Sequence, residues 1–294
     1  MLTWSDLAGV RGGVGGALLL HLLATALPRN GRVLLAGPVS IKVAGELARR
    51  HPAIDVLVRS WPDARALRQR LPEEAAVFCG PLRRLPVPDR GYASVLAPAG
   101  ADRLESAEEA VRPWRETVGD LLALLAEHGD LILGAENRVG LDRLLAPVDV
   151  PRGDDADWPS WEPAAPGLCS EHEVAEPLGG DALLVAWALH GPRSAPRLAA
   201  PEATLSVHRR DPVVRRAVVA AYAPLRTAGG GLYDPGTVAA DLLAAGLSGA
   251  TAPASLLSVR RGGTTPSDDA LVMLDAAPGG DVVVRLDADA DGQG

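Results

Sequence analysis

Apolar positions follow two alternating periods along the first half of the chain. Leucines between residues 18 and 23 repeat at helical spacing, and the Pro and Gly residues at 28–31 predict a turn. After this turn, short continuously apolar runs alternate with amphipathic ones. They predict strands at 32–36, 55–58, 76–79 and 93–97, with helices at 43–50 and 64–71. Such an alternation is typical of a parallel sheet covered on both faces, so we expect a doubly wound α/β fold over roughly the first 150 residues.

The longest predicted helix runs from Ser106 to His128. Its apolar residues, from Val111 to Leu125, recur on one face, and Gly129 is the predicted terminator. A strand is predicted directly after it, at 131–133. This arrangement extends the helix and strand alternation by one unit.

The second half of the chain is less regular. Residues 147–166 are rich in Asp and Pro and contain Trp158 and Trp161, which predicts a long loop. Its tryptophans fit either a lid over the sheet edge or the anchor of a dimer. Beyond it we predict a strand at 183–189, helices at 212–223 and 235–245, and β-rich runs at 256–259, 271–274 and 282–286.

These elements predict four parts of the chain. Residues 1–146 form the core with an N-terminal helix, and residues 147–200 add the lid loop and a distal strand. Residues 201–286 form a C-terminal elaboration of helices and a β-hairpin. The Asp- and Gly-rich residues 287–294 are expected to be a disordered tail.

Composition excludes several classes of function. The chain has 294 residues, a net charge of -8 and only 3% aromatic residues, so nucleic acid is not an expected partner. Lys42 is the only lysine, which excludes Schiff-base chemistry elsewhere, and the phosphate-binding loop with its lysine is absent. The two cysteines and six histidines are scattered, so we expect no metal site.

The apolar run at 14–27 resembles a signal peptide because Ala24-Thr25-Ala26 is similar to a cleavage site. Asp6 precedes the run and His21 interrupts it, which argues against that interpretation. The run is also shorter than the roughly 20 apolar residues that span a bilayer. We therefore expect a cytoplasmic protein with no membrane association, in which this apolar helix packs on the core and favours a homodimer.

Ligands of open parallel sheets bind where strands end, so the segments that follow each strand are the candidates. After the first strand, Gly37-Pro38-Val39-Ser40 form a turn whose backbone amides can meet a carboxylate or a phosphate. The nicotinamide fingerprint G-x-G-x-x-G is absent. The ligand class is thus open at this point.

Four segments in order resemble the class I S-adenosylmethionine-dependent methyltransferases, over roughly Leu18 to Leu145. Gly37 matches the first glycine of that family, and Cys79-Gly80-Pro81-Leu82-Arg83-Arg84-Leu85-Pro86 is similar to its third motif. Residues 92–97 resemble its fourth strand, and residues 124–133 resemble the segment before its fifth. The resemblance implies a doubly wound, Rossmann-like methyltransferase sheet with helices on both faces, here with a small C-terminal α+β elaboration.

The resemblance also implies S-adenosylmethionine as cofactor and methyl transfer as activity. It implies cofactor-binding positions at or just after the ends of the first four strands, namely Gly37, Pro38, Ser40, Arg59, Gly80, Leu82 and Ala97. Asp63, four residues after Arg59, is added as a candidate substitute acceptor. The acceptor is expected to be a small molecule or a peptide, as in specialised metabolite biosynthesis.

Several positions depart from the family pattern. The expected acidic positions read Leu35, Arg59 and Pro81, and the loop glycines read Val39 and Ile41. A guanidinium only donates hydrogen bonds and cannot accept them from ribose hydroxyls.

Arg59 therefore leaves several interpretations open. It is a solvated strand-end residue, or it favours an anionic ligand, while Asp63 replaces the missing acceptor. Either the cofactor binds through backbone groups and shape, or the fold has lost it. The alternative function is a catalytically inactive methyltransferase-like scaffold that binds a partner protein or a precursor peptide.

Three polar residues follow later strands and are the catalytic candidates. Glu136 and Asn137 come after the fifth strand, and His190 follows the next one. Methyl transfer needs in-line positioning, with a base where the acceptor carries a proton. His190 or Glu136 can be that base. The competing interpretations are a loop histidine and a helix-capping acid.

Overall fold

A computed structural model of the chain describes residues 5–7, 14–105, 112–137, 139–145, 182–227, 233–261, 271–277 and 280–286. Among these residues, ten strands form one sheet. The strands are β1 (Val33–Ala36), β2 (Ile54–Val58), β3 (Ala76–Cys79), β4 (Tyr92–Ala97), β5 (Leu125–Glu136), β6 (Ala182–His190), β7 (Leu198–Pro201), β8 (Ala254–Arg261), β9 (Leu271–Ala277) and β10 (Gly280–Leu286).

The helices lie between and beside these strands. They are α1 (Ala17–Thr25), α2 (Ile41–Arg50), α3 (Trp61–Arg68), α4 (Trp114–Ala123), α5 (Leu141–Leu144), α6 (Glu202–Val207), α7 (Pro212–Ala221), α8 (Pro235–Ala244) and α9 (Ser248–Thr251). Side chains of Ser40, Ser60, Asp211 and Asp234 accept hydrogen bonds from first-turn amides of α2, α3, α7 and α8.

Five strands form a parallel half in the order β3-β2-β1-β4-β5. In the register, Val33 of β1 lies between Ile54 of β2 and Ser94 of β4. The strand order reverses at β1, which is the switch point of a doubly wound fold. This order confirms the predicted fold class, a doubly wound, Rossmann-like sheet.

The other half of the sheet is antiparallel. β8 lies between β5 and β6 and is antiparallel to both, so that Leu257 pairs with Leu133 on one side and Ala186 on the other. β7, β9 and β10 follow outward from β6. β9 and β10 form the predicted hairpin. Because β6 and β5 each oppose β8, they run in the same direction.

Both faces of the sheet are covered, as predicted. Val33 and Leu35 of β1 point into a cluster with α1, α2 and α3, while Leu34 and Ala36 point into a second cluster with α4. A third cluster, with Ala188 of β6, contains α7 and α8. Continuous apolar strands suit this arrangement because both of their faces are buried.

The predicted helix at 106–128 is wrong at its C-terminal end. Helix α4 ends at Ala123, and β5 begins at Leu125, which pairs with Tyr92. Gly129 is therefore a strand residue and not a helix terminator. A Cβ on Gly129 would lie 2.9 Å from the carbonyl oxygen of Tyr92, so the close strand pairing explains the glycine. Helical spacing of the leucines was outweighed by pairing with β4.

The four predicted parts of the chain remain a prediction. The structure does place strand β8, which comes from the predicted C-terminal elaboration, within the sheet itself. The loop with Trp158 and Trp161 and the predicted tail at 287–294 lie outside the described residues.

Candidate cofactor site

The carboxyl ends of β1 to β6 lie along one edge of the sheet, because β1 to β5 are parallel and β6 runs with them. All of the predicted site residues belong to segments that begin at this edge. The edge next to the switch point at β1 is where doubly wound folds bind ligands. We call it the switch edge.

The turn after β1 is buried. Gly37 has a φ of 91°, which favours glycine, and its N–H donates to the carbonyl of Leu57. Val14 lies beside the turn: its N–H donates to the Pro38 carbonyl at 3.1 Å, and its carbonyl accepts from Ser40 N–H at 2.9 Å. The backbone amides of Gly37 and Ser40, which the sequence predicted would bind a ligand, thus donate to carbonyls of the chain itself.

Side chains from the segment after β4 cover the same turn. A Cβ placed on Gly37 would lie 3.3 Å from Cδ2 of Leu104 and 3.6 Å from Cβ of Ala99. Leu104 is buried and packs among apolar residues of the second cluster. The apolar side chains of Leu104 and Ala99 therefore cover the turn at Gly37.

Arg59, at the end of β2, is buried in an ion pair and is not a solvated strand-end residue. Its Nε and Nη2 donate to the two carboxylate oxygens of Asp6 at 2.7 and 2.9 Å, and Nη1 donates to the carbonyl of Glu105 at 2.8 Å. The two paired side chains are only 5% and 4% exposed. Bidentate pairing of this kind is strong and directional.

Asp63 also holds the N-terminal residues. Its Oδ2 accepts from the backbone N–H groups of Asp6 at 2.7 Å and Leu7 at 3.3 Å, and its Oδ1 accepts from the Ser5 hydroxyl. Asp63 is 2% exposed. The predicted substitute acceptor is thus a buried carboxylate that accepts hydroxyl and amide donors from residues 5–7.

The guanidinium of Arg103 lies close to the ion pair of Asp6 and Arg59. Nη2 of Arg103 is 3.8 Å from Asp6, and the buried Nε of Arg103 has no hydrogen-bond partner among the described residues. Burial lowers the pKa of Arg103, while Asp6 raises it and Arg59 lowers it further. The charge of Asp6 is therefore shared by two buried arginines.

The other predicted cofactor positions fall into two groups. Leu82 and Ala97 are buried in the second core cluster. Gly80 lies at the switch edge, where its N–H donates to the Val58 carbonyl and a Cβ would meet nothing within 4 Å. Of the two predicted glycines, Gly80 therefore has open space beside it and Gly37 does not.

Glu136, at the end of β5, is held by two arginines. Its carboxylate accepts from Arg143 and from Arg193, both at 2.8 Å, and Arg193 also donates to Asp142 at 3.0 Å. A carboxylate fixed in this way can orient a positively charged or hydroxyl-bearing group.

A small cleft lies next to Glu136. It is lined by Val14, Pro98, Ala99, Leu189 and Arg193, among others, and has a volume of about 20 Å³. That is room for roughly one water molecule, against several hundred Å³ for a typical ligand pocket. As the structure stands, the cleft does not admit a nucleoside.

The side chains of Asn137 and His190 both make contacts within the fold. The Asn137 amide donates to the carbonyls of Ala250 and Ala252. His190 is buried: Nδ1 lies 3.2 Å from the Tyr222 hydroxyl and Nε2 lies 3.4 Å from the Ser248 hydroxyl. Burial lowers the pKa of His190 to about 4, so it is neutral at pH 7.

Sequence reasoning missed three charged residues of this edge, namely Asp6, Arg103 and Arg193. One signal was present, because Asp6 is the only acidic residue before Glu46. A lone carboxylate in an apolar segment suggests a specific partner. The identity of that partner needed the fold, since Arg59 is 53 positions away.

An adenosyl cofactor fits this edge in part. The Asp63 carboxylate has the acceptor chemistry that ribose hydroxyls need, and Gly80 has open space. Arg59 lacks that chemistry. Donors from residues 5–7 already bind Asp63, and Leu104 lies against Gly37.

Within the described part of the chain, His, Cys, Asp and Glu residues form no group of three that could hold a metal ion. In the same residues, each helix is too short or too polar to cross a bilayer.

No protein-family model matches the sequence, and no curated protein matches it. Solved structures are similar to it in fold. The plantazolicin methyltransferase BpumL in complex with SAH is 10% identical, with 83% of this chain and 81% of that chain covered and a TM-score of 0.42. The [4+2]-cyclase SpnF is 16% identical, with 83% and 79% covered and a TM-score of 0.44. The N-methyltransferase NodS from Bradyrhizobium japonicum WM9, in complex with S-adenosyl-l-homocysteine, is 14% identical, with 41% and 60% covered and a TM-score of 0.34. These TM-scores lie below 0.5, so the fold rests on the strand order and register described above.

Proposed function

We propose that the chain binds S-adenosylmethionine at the switch edge and transfers its methyl group to a small-molecule or peptide acceptor. One observation carries this proposal. The reversal of strand order at β1 brings Gly37, Asp63 and Gly80 to one edge, with Glu136 farther along it. Asp63 would accept hydrogen bonds from the ribose, and the cofactor would supply the methyl group. The motif order along residues 18–145 supports the same assignment.

Glu136 would position the acceptor. Methyl transfer depends mainly on in-line placement of the acceptor atom, so a fixed carboxylate beside the reacting groups is useful without acting as a base. The arginine pairs of Glu136 hold its orientation. His190 would act as part of the core, since Tyr222 and Ser248 contact both of its ring nitrogens.

A second candidate function is favoured by the buried turn at Gly37 and by the Asp6–Arg59 pair. If residues 5–7 never leave the switch edge, the chain is a non-catalytic scaffold that binds a partner protein or a precursor peptide. The two candidates differ in whether the edge takes a nucleoside at all.

Calorimetric titration with S-adenosylmethionine and with S-adenosylhomocysteine tests this proposal. We expect binding of both, and we expect Gly37→Asp to abolish it because the new side chain and its charge would enter the turn. Gly45→Asp is the matched control, since a Cβ on Gly45 of α2 would meet nothing within 4 Å. Circular dichroism confirms that each variant is folded.

Two results would contradict the proposal. An unchanged dissociation constant in a folded Gly37→Asp variant would mean that the site lies elsewhere. No binding at millimolar ligand, in the unaltered chain and in an Asp6→Asn variant alike, would favour the scaffold.

A further inference from the structure

We infer that residues 5–7 are an internal ligand that occupies the ribose position of the switch edge and competes with the cofactor for Asp63. This inference rests on the proposed function, because it concerns the same carboxylate, that of Asp63. It adds an autoinhibitory contact to that function. The chain would then exist in a closed form, seen here, and an open form that binds a nucleoside.

This segment gives both oxygens of the Asp63 carboxylate hydrogen-bond donors, as the two hydroxyls of a ribose would. Asp63 accepts from one hydroxyl, that of Ser5, and from the backbone N–H groups of Asp6 and Leu7. A ribose offers two adjacent hydroxyl donors, which a carboxylate can accept on its two oxygens. Asp63 is buried, so its charge needs one set of donors or the other. The two sets cannot occupy the same side of one buried carboxylate together.

The Asp6 carboxylate fixes the segment in place. It accepts two hydrogen bonds from Arg59 and lies 3.8 Å from Arg103. In the family pattern an acidic residue stands at the end of this strand. Here Arg59 stands at that position, and it binds the acidic residue Asp6 of the N-terminal segment. Loss of the Asp6 charge would leave two buried guanidiniums without their shared carboxylate, which favours opening.

Competition of this kind raises the apparent dissociation constant in inverse proportion to the fraction of chain in the open form. A minor open form of about 0.1–10% raises the apparent dissociation constant by about 10-fold to about 1000-fold. A variant that destabilises the closed form should recover that factor. The cofactor contacts themselves stay unchanged, because Asp63 and Gly80 are retained.

The test compares S-adenosylhomocysteine binding by the full chain and by a Ser5→Ala/Asp6→Asn variant. These changes remove the hydroxyl donor and the charge of the segment while nearly keeping its volume. We expect the variant to bind at least about 10-fold more tightly. Asp89→Asn, which removes an exposed acid from the segment before β4, is the control and should bind as the unaltered chain does.

Hydrogen exchange gives a second readout that is independent of affinity. The Asp6 and Leu7 amides donate to Asp63 in the closed form, so they should be protected without ligand. They should lose protection when the unaltered chain is saturated with S-adenosylhomocysteine.

The outcomes separate the two proposals. Equal affinity of the variant and the unaltered chain, or amides that stay protected in the saturated chain, overturns the internal ligand and leaves the proposed function in place. No binding by any of the three chains overturns the proposed function.

Discussion

Single residues at the switch edge show how a charge reversal is accommodated. Arg59 stands where the resembled family has an acid, and a buried guanidinium without a partner would be costly. Asp6 supplies that partner with a bidentate contact, and the Glu105 carbonyl accepts a hydrogen bond from the third guanidinium nitrogen, Nη1. The reversal is thus compensated inside the chain, and it does not leave a solvated arginine.

His190 makes the stability of the fold depend on pH. Its pKa is about 4 in the fold because it is buried, against about 6.5 in an unfolded chain. Between these values the unfolded chain binds a proton that the folded chain does not, so stability falls as the pH falls from about 6.5 to about 4. The expected loss from this residue is about 3 kcal/mol.

Urea denaturation at a series of pH values measures this dependence. A His190→Gln variant cannot bind the proton, so we expect its free energy of unfolding to fall less steeply than that of the unaltered chain across this window. Equal slopes for the two proteins would show that His190 is solvated in solution.

Residue types alone predicted the candidate chemistry only in part. Gly37, Asp63 and Gly80 do reach one edge, because each follows a parallel strand that the apolar runs predicted. The partners of Arg59 and Glu136 could not be predicted, since Asp6 and Arg193 are 53 and 57 positions away in sequence. Local patterns carry no information about such contacts.

At the scale of elements, two glycines on either side of the boundary between α4 and β5 have different surroundings. Gly119 lies on the exposed side of α4, where a Cβ would meet nothing within 4 Å. Gly129 lies in β5 with the Tyr92 carbonyl oxygen 2.9 Å from its Cβ position. The same substitution should therefore have opposite effects at the two positions.

We expect Gly119→Ala to stabilise the chain by about 0.5–1 kcal/mol, because alanine loses less backbone entropy in a helix. Gly129→Ala should destabilise it, because backbone atoms of two strands must move. Thermal unfolding followed by circular dichroism measures both. A stabilised Gly129→Ala variant would contradict the strand assignment and support a longer helix.

The elements that periodicity predicted well are those whose burial agrees with their period. All residues of β1 are buried and apolar, β2 is apolar at every buried position except Asp55, and α2 is apolar on one face only. The prediction of a helix at 106–128 was wrong at its C-terminal end because the leucines at 124–125 fit the apolar face of a longer helix as well as the start of β5. Only the pairing with Tyr92 decides between them.

At the scale of the whole molecule, β8 connects the two halves of the sheet. Its residues pair with β5 on one side and β6 on the other, and Leu256, Leu257 and Val259 are buried. The parallel half could be predicted because its helices and strands alternate. The position of β8 could not, since an apolar run at 256–259 gives no indication of which strands it pairs with.

Two truncated chains test the importance of β8. A chain that ends at residue 262 lacks the hairpin of β9 and β10, and it should keep a cooperative thermal transition at a lower midpoint. A chain that ends at residue 253 also lacks β8, so it should lose the cooperative transition, because β5 and β6 would each have an unpaired apolar edge. Calorimetry distinguishes the two. A cooperative transition in the shorter chain would show that the halves fold separately.

The late position of β8 in the sequence also affects the order of events during synthesis. When the ribosome has made the first 250 residues, the parallel strands are complete but their inner edge has no neighbour. The nascent protein must keep that edge free of other chains until residues 254–261, which form β8, emerge. Slow translation or crowding of ribosomes on one message would therefore favour aggregation through β5, and early contact with a chaperone would reduce it.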